Sequence, residues 1–282
     1  MKLLLFLALA SVVAGAELPD ISTIPTDLTA PATENGAPAA GHRVAATTAP
    51  WQGPGVHHTL YLPSNWQPDR QWPVIVEYAG NGGYQNAFGD RCDGTVEGCH
   101  MGYGLSAGRD YIWICMPFVV PGTPAQNAFQ WWGDPDESVR YCVATVHEVC
   151  AKYGGDPKRV VLSGFSRGSI ACNFIGLRND EIASLWCGML CHSQYDGARK
   201  WPYADSVGAP ALDRLRRLGN RPQFISHEGG TAETRAYLQS TGIEGRFTFV
   251  DFLFRNHTDQ WSLRDCDLRK SARAWLHAIA PP

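Results

Sequence analysis

Gly164-Phe165-Ser166-Arg167-Gly168 sets a serine between two glycines, with Arg159-Val160-Val161-Leu162-Ser163 before it and Ser169 to Leu177 after it. The first run is apolar and β-branched and reads as a buried strand; the second can wind as a helix. A strand turning sharply into a helix at Gly-x-Ser-x-Gly holds the serine on a strained turn, and the flanking glycines let neighbouring backbone approach. Its hydroxyl becomes a nucleophile only when a base takes the proton. Position selects among the nine histidines. His257, in Asn256-His257-Thr258-Asp259-Gln260-Trp261, follows the last predicted strand, at the strand edge where active sites of open α/β sheets gather. His192 and His227 also end strands and are the alternatives. The adjacent His57 and His58 would face opposite sides of a strand and read as structural.

Three carboxylates compete to orient that histidine, a role that fixes the tautomer and stabilises the imidazolium. Glu228 sits just beyond its strand with glycines after it, Asp196 follows the preceding strand in Cys191-His192-Ser193-Gln194-Tyr195-Asp196-Gly197, and Glu233 suits the first turn of a helix. The choice stays open between Glu228 and Asp196, with Glu233 third. An oxyanion needs backbone donors. The amide of Arg167, just after the nucleophile, is one. The other belongs to the turn Gly80-Asn81-Gly82-Gly83, where Asn81 is the first choice and Gly82 its substitute. The Arg167 guanidinium could meet an acidic substrate such as a uronate ester, although a structural salt bridge is the preferred role.

These residues need a scaffold, and the pattern supplies one. Strands are predicted at Val56–Leu62, Pro73–Tyr78, Tyr111–Met116, Arg159–Ser163, Leu185–Leu190, Gln223–Ser226 and Phe247–Phe254. Asp134-Pro135-Asp136-Glu137 opens a helix that carries Val139, Val143, Val146 and Val149 on one face and stops at Gly154-Gly155. Further helices are expected around Ser169–Leu177, Leu212–Leu218, Glu233–Gln239 and Arg269–Ile279. Strands alternating with helices imply an α/β fold, a mostly parallel twisted sheet with helices on both faces.

Composition bounds the rest. The 282 residues are 44% hydrophobic and 18% charged, which fits one large domain. Met1-Lys2, the apolar run Leu3–Val13 and Ala14-Gly15-Ala16 read as an export signal over residues 1–16, so a secreted or periplasmic location is expected, with no membrane attachment after cleavage. Residues 17–41, rich in proline, read as an extended leader or linker, and residues 42–282 as the catalytic domain. A net charge of −3 without a basic cluster speaks against nucleic acid as a partner. Nine cysteines in an exported chain imply disulfides, with Cys92–Cys99 the favoured pair. Cys115 and Cys187 read as core residues. No metal-binding spacing occurs, so neither metal nor cofactor is expected.

With Tyr153-Gly154-Gly155-Asp156-Pro157-Lys158-Arg159-Val160 leading into the Ser166 turn, and His257-Thr258-Asp259-Gln260-Trp261 closing the set, the chain resembles the α/β-hydrolase superfamily over roughly residues 56–280. Within it, the resemblance is to secreted esterases near the acetylxylan and feruloyl types and to prolyl-oligopeptidase-like hydrolases. It implies a serine esterase acting through an acyl-enzyme. It departs from the usual pattern at Tyr78-Ala79-Gly80-Asn81-Gly82, where His-Gly-Gly is common, and in the acid loop, which has no aspartate. Tyr84, Phe129, Trp131, Trp132 and Trp261 fall in loops expected at the catalytic edge, where aromatic faces could stack on sugar rings or aryl groups of a small-molecule or polysaccharide ester. A peptidase with the same triad, a polyester hydrolase and a catalytically silent binding module are the competing readings.

Overall fold

Val74-Ile75-Val76 and Val160-Val161-Leu162 are buried to the last residue, as strands covered on both faces must be. In the computed structural model, which describes residues 17–53 and 55–282, they form the centre of an eight-stranded sheet. The strands are β1 (Arg43–Ala46), β2 (His58–Tyr61), β3 (Trp72–Tyr78), β4 (Ile112–Met116), β5 (Gly155–Phe165), β6 (Gly188–His192), β7 (Gln223–Glu228) and β8 (Phe247–Phe252). Their order is β1-β2-β4-β3-β5-β6-β7-β8. The pairs β1–β2 and β2–β4 are antiparallel; every later pair is parallel. The expected export signal, residues 1–16, lies outside the described residues.

Helices cover both faces: α1 (Met101–Ser106), α2 (Pro135–Tyr153), α3 (Arg167–Phe174), α4 (Asp180–Ala183), α5 (Ala209–Arg216), α6 (Ala232–Thr241) and α7 (Asp267–Ile279). The α2 helix begins as its sequence dictates. Asp134 Oδ1 accepts from the amides of Asp136 and Glu137, both at 2.9 Å, Pro135 takes the first helical position, and Gly154 ends the helix at φ 73°. Its valines join the core on one face of the sheet, with Val74, Val76 and Leu162. Ile75, Trp113 and Val161 point to the other face, where Leu268, Ala272 and Leu276 of α7 cover them. Among the described residues no helix is long and apolar enough to cross a membrane.

Strand β1 and helices α1 and α4 were not anticipated, and two further features differ from the sequence reading. Residues 17–41 are extended but docked: Ile21 is buried, Asp27 and Leu28 donate their amides to Leu263 O, and Asp27 meets the Arg269 guanidinium with both oxygens at 2.6 Å. Proline-rich composition foretold the extension; it carried no sign of the surface that receives it. The cysteines, too, are all free, so the expected Cys92–Cys99 bridge is a correction. Cys92 packs toward Gly80, while Cys99 turns into the core, where its sulfur lies within 4.8 Å of Cys115 Sγ and a Glu77 oxygen. The loop between them is pinned by its own polar groups: Asp93 Oδ1 accepts from Thr95 N at 2.9 Å and Thr95 Oγ1 from Gly98 N at 3.1 Å.

Candidate active site

The turn after β5 holds Ser166 at φ 53° and ψ −115°, a strained conformation for a residue with a side chain. Both flanking glycines are required by close backbone. A Cβ at Gly164 would come within 2.0 Å of Gly168 O, and one at Gly168 within 1.9 Å of Tyr78 O. The Ser166 amide donates to His192 O at 2.9 Å, which ties the turn to the neighbouring β6. Because α3 starts at Arg167, its unpaired first amides and the positive end of its dipole sit beside the Ser166 hydroxyl.

His257, on the loop after β8, faces that hydroxyl with Nε2 at 2.9 Å from Ser166 Oγ. Its Nδ1 lies 2.5 Å from Glu228 Oε1. Phe165 and Tyr84 pack on the imidazole at 4.8 and 4.7 Å between ring centroids. Glu228, the last residue of β7, uses its second oxygen to accept from Ser193 Oγ at 2.5 Å. Burial pushes the Glu228 carboxyl upward, but the His257 hydrogen bond and the nearby histidines outweigh it and bring it down to about 2. Serine, imidazole and carboxylate thus stand in line.

The structure does not bring Asp196 to this line, a correction to its standing as a rival acid. It is buried under a fork from Arg214, with Nε at 2.8 Å from Oδ2, and it accepts from the Tyr203 hydroxyl at 2.9 Å. What the loop after β6 contributes is Ser193, held at φ 82° with its hydroxyl on Glu228. Glu233 pairs with Arg199 on the surface. His192 is fully buried, has its ring nitrogen Nδ1 2.8 Å from Ser226 Oγ, and is driven by desolvation down to about 3, so it stays neutral. His227 sets Nδ1 on Glu228 O at 2.6 Å. His57 and His58 turn to Glu97 and Tyr141 at 2.7 and 2.8 Å.

A cleft of about 500 Å³ opens above Ser166, lined by Asn81, Arg167, Tyr84, Trp131, Glu228 and His257 among others. The Gly82 amide is taken by Phe129 O at 3.1 Å, whereas among the described residues nothing accepts from the Asn81 amide. Asn81 Oδ1 accepts from Trp131 N at 2.8 Å, which fixes both residues at the cleft wall. Trp132 and Trp261, expected to meet substrate, are instead buried packing residues: Trp132 lies against Phe118 and Phe174, and Trp261 against His192. Phe129 is exposed but off the cleft lining. Asn86, Phe88, Ile170, Gln194, Trp201 and Arg255 complete the lining and were not singled out by sequence. Trp201 and Phe88 carried the same aromatic-loop signal as Trp131; the others carried none.

Among the described residues the Arg167 side chain makes no salt bridge, another correction. Buried over the Phe118 ring, it donates to Phe129 O, Trp131 O and Gly94 O at 3.2, 2.9 and 3.0 Å. Desolvation lowers it to about 10, so it remains charged.

No protein-family model matches the chain, and no curated protein matches it. Solved structures do. Fungal esterases from Rhizomucor miehei superpose at a TM-score of 0.55 and 12% identity over 87% of this chain and 85% of theirs. A thermostable esterase gives 0.51 and 15%, over 84% and 62%. Dipeptidyl peptidase 4 of Porphyromonas gingivalis gives 0.51 and 16%, over 84% and 35%. The fold is the α/β-hydrolase fold. This chain spans less than two thirds of the thermostable esterase and of the peptidase, and at these identities the likeness concerns architecture alone.

Proposed function

We propose that this α/β-hydrolase chain is a serine hydrolase that cleaves carboxylic esters. The observation that carries the reading is the continuous Ser166–His257–Glu228 line, with bonds of 2.9 and 2.5 Å beneath an open cleft. Ser166 Oγ attacks the ester carbonyl while His257 Nε2 takes its proton, and Glu228 holds the Nδ1 proton and balances the imidazolium. The amides of Arg167 and Asn81 receive the oxyanion. Collapse expels the alcohol, which leaves with the proton from His257. Water then enters, gives its proton to His257 and releases the acid from the acyl-serine.

The substrate we favour is a neutral acyl or aryl ester borne on a polysaccharide, met outside the cell that exports the protein. Four aromatic residues, Tyr84, Phe88, Trp131 and Trp201, line the cleft, a wall suited to stacking on sugar or aryl faces. Both arginines of the lining are already engaged, Arg167 by backbone carbonyls and Arg255 by Glu17 and Asp20, which disfavours a uronate or other anion.

Two measurements test the reading. A fluorophosphonate probe should label the parent chain and leave Ser166→Ala unlabelled, with p-nitrophenyl acetate turnover lost in the same variant. A Ser166→Ala chain that keeps its turnover would end the proposal, and faster cleavage of dipeptide p-nitroanilides than of esters would reassign it to peptides.

A further inference from the structure

His257 leaves β8 on a loop without regular structure, so its backbone has to be fixed from outside. Asp90 does so directly. Its Oδ2 accepts from the His257 amide at 2.9 Å, and its Oδ1 accepts from Asn256 Nδ2 at 2.9 Å. Asn86 sets the carboxylate in place, donating from Nδ2 at 2.7 Å and accepting the Asp90 amide at 3.0 Å. Asn256, almost fully buried, turns its own oxygen to the Ile21 amide at 2.7 Å. A chain of hydrogen bonds therefore runs from the docked N-terminal segment through Asn256 and Asp90 to the backbone of His257. Arg255, the residue before Asn256, is tied to the same segment. Its amide donates to Pro19 O at 3.1 Å, and its guanidinium meets Asp20 at 3.0 Å and Glu17 at 2.8 Å while lying over the Phe88 ring.

We infer that Asp90 and Asn256, together with the segment 17–28 that holds Asn256, are positioning residues that keep His257 Nε2 at bonding distance from Ser166. The inference rests on the triad reading above. The ring is steered at both nitrogens and packed by Tyr84 and Phe165, but none of these contacts fixes where its Cα stands. A general base displaced by about 1 Å loses on the order of a hundredfold in rate, so the anchors of that Cα belong to the working site. They are polar, buried and mutually satisfied, which makes them geometrically specific as well as stabilising.

The test uses Asp90→Asn and Asn256→Ala in the full chain. Asp90→Asn keeps the shape but has one acceptor oxygen for the three donors, Asn86 Nδ2, Asn256 Nδ2 and the His257 amide. The expected result is a fall in kcat of about ten- to a hundredfold with KM changed less than about twofold. The downfield proton resonance of the His257–Glu228 bond should broaden or vanish in parallel, which a change in stability alone would not produce. Asp20→Ala, at the exposed edge of the docked segment, should fold normally and show a smaller loss, about threefold. Should Asp90→Asn fail to fold, Asn256→Ala and Asp20→Ala carry the decision. Parent-like kcat and an unaltered resonance in the folded variants would overturn the positioning role. An active Ser166→Ala chain would overturn the triad reading itself, so the two failures are told apart.

Discussion

Glu228 sits where burial alone would hold a carboxyl protonated, and the bond to His257 reverses that. Its folded pKa of about 2 lies below its ordinary value of 4.5, so the stability it contributes is present above pH 4.5 and is lost as pH falls through about 2. The contrast with Asp196 is a matter of partners. Removing charge from Glu228 in Glu228→Gln should cost kcat at least about a hundredfold, through the wrong imidazole tautomer, with little loss of fold. Asp196→Asn should do the reverse, leaving the Arg214 guanidinium buried without its counter-charge and destabilising the chain by about 3 kcal/mol while kcat stays near the parent value. Steady-state kinetics and urea melts on the two variants separate these outcomes. The sequence left the two acids unresolved for a physical reason. Glu228 ends one strand of the sheet and Asp196 follows its neighbour, and what divides them is the partner each meets, Arg214 for Asp196 and His257 for Glu228, which local pattern does not reveal.

Elements, more than single residues, were legible. Ser166 and His257 could be placed because an apolar strand precedes each, and a parallel sheet delivers the ends of its strands to one edge. Long loops were not legible, since their conformation depends on what they touch. Trp131 and Trp132 are adjacent in one loop, yet one lines the cleft and the other is buried against Phe118. The agent that orders this region is the Arg167 side chain, whose donors collect carbonyls from the segments at Gly94, Phe129 and Trp131. A lysine has one compact ammonium in place of that planar fork. Arg167→Lys should therefore lower stability by about 2 kcal/mol and raise KM more than it lowers kcat, because the backbone amide proposed to meet the oxyanion is retained. Thermal melts and initial-rate kinetics would check both halves.

At the scale of the whole molecule, distant segments are held by a few polar clasps that no local pattern announces. His100, ahead of α1, faces Asp259 at 3.1 Å across the loop that follows His257. The Asp259 charge outweighs burial and raises His100 from 6.5 to about 9. A raised folded pKa contributes stability that is fully present below pH 6.5 and disappears as pH rises through 9. The parent should lose on the order of 2 kcal/mol across that interval, seen as a falling Tm, and His100→Gln should remove the slope. An equal slope in the variant would assign it to other groups.

The docked segment at residues 17–28 has one more consequence, for the order in which the protein forms. Ile21 and Asn256 are 235 residues apart in the chain, and the bond between them closes a loop that contains all eight strands of the sheet. Contacts at such separation are made late, after the ordering entropy of the intervening chain has been met. A newly made chain would thus hold a folded sheet with Ser166 on its turn before the base is seated, and would stay inert until both ends have come together. Refolding from urea should show tryptophan fluorescence recovering ahead of ester turnover, with the lag abolished if the base is seated independently of the N-terminal residues.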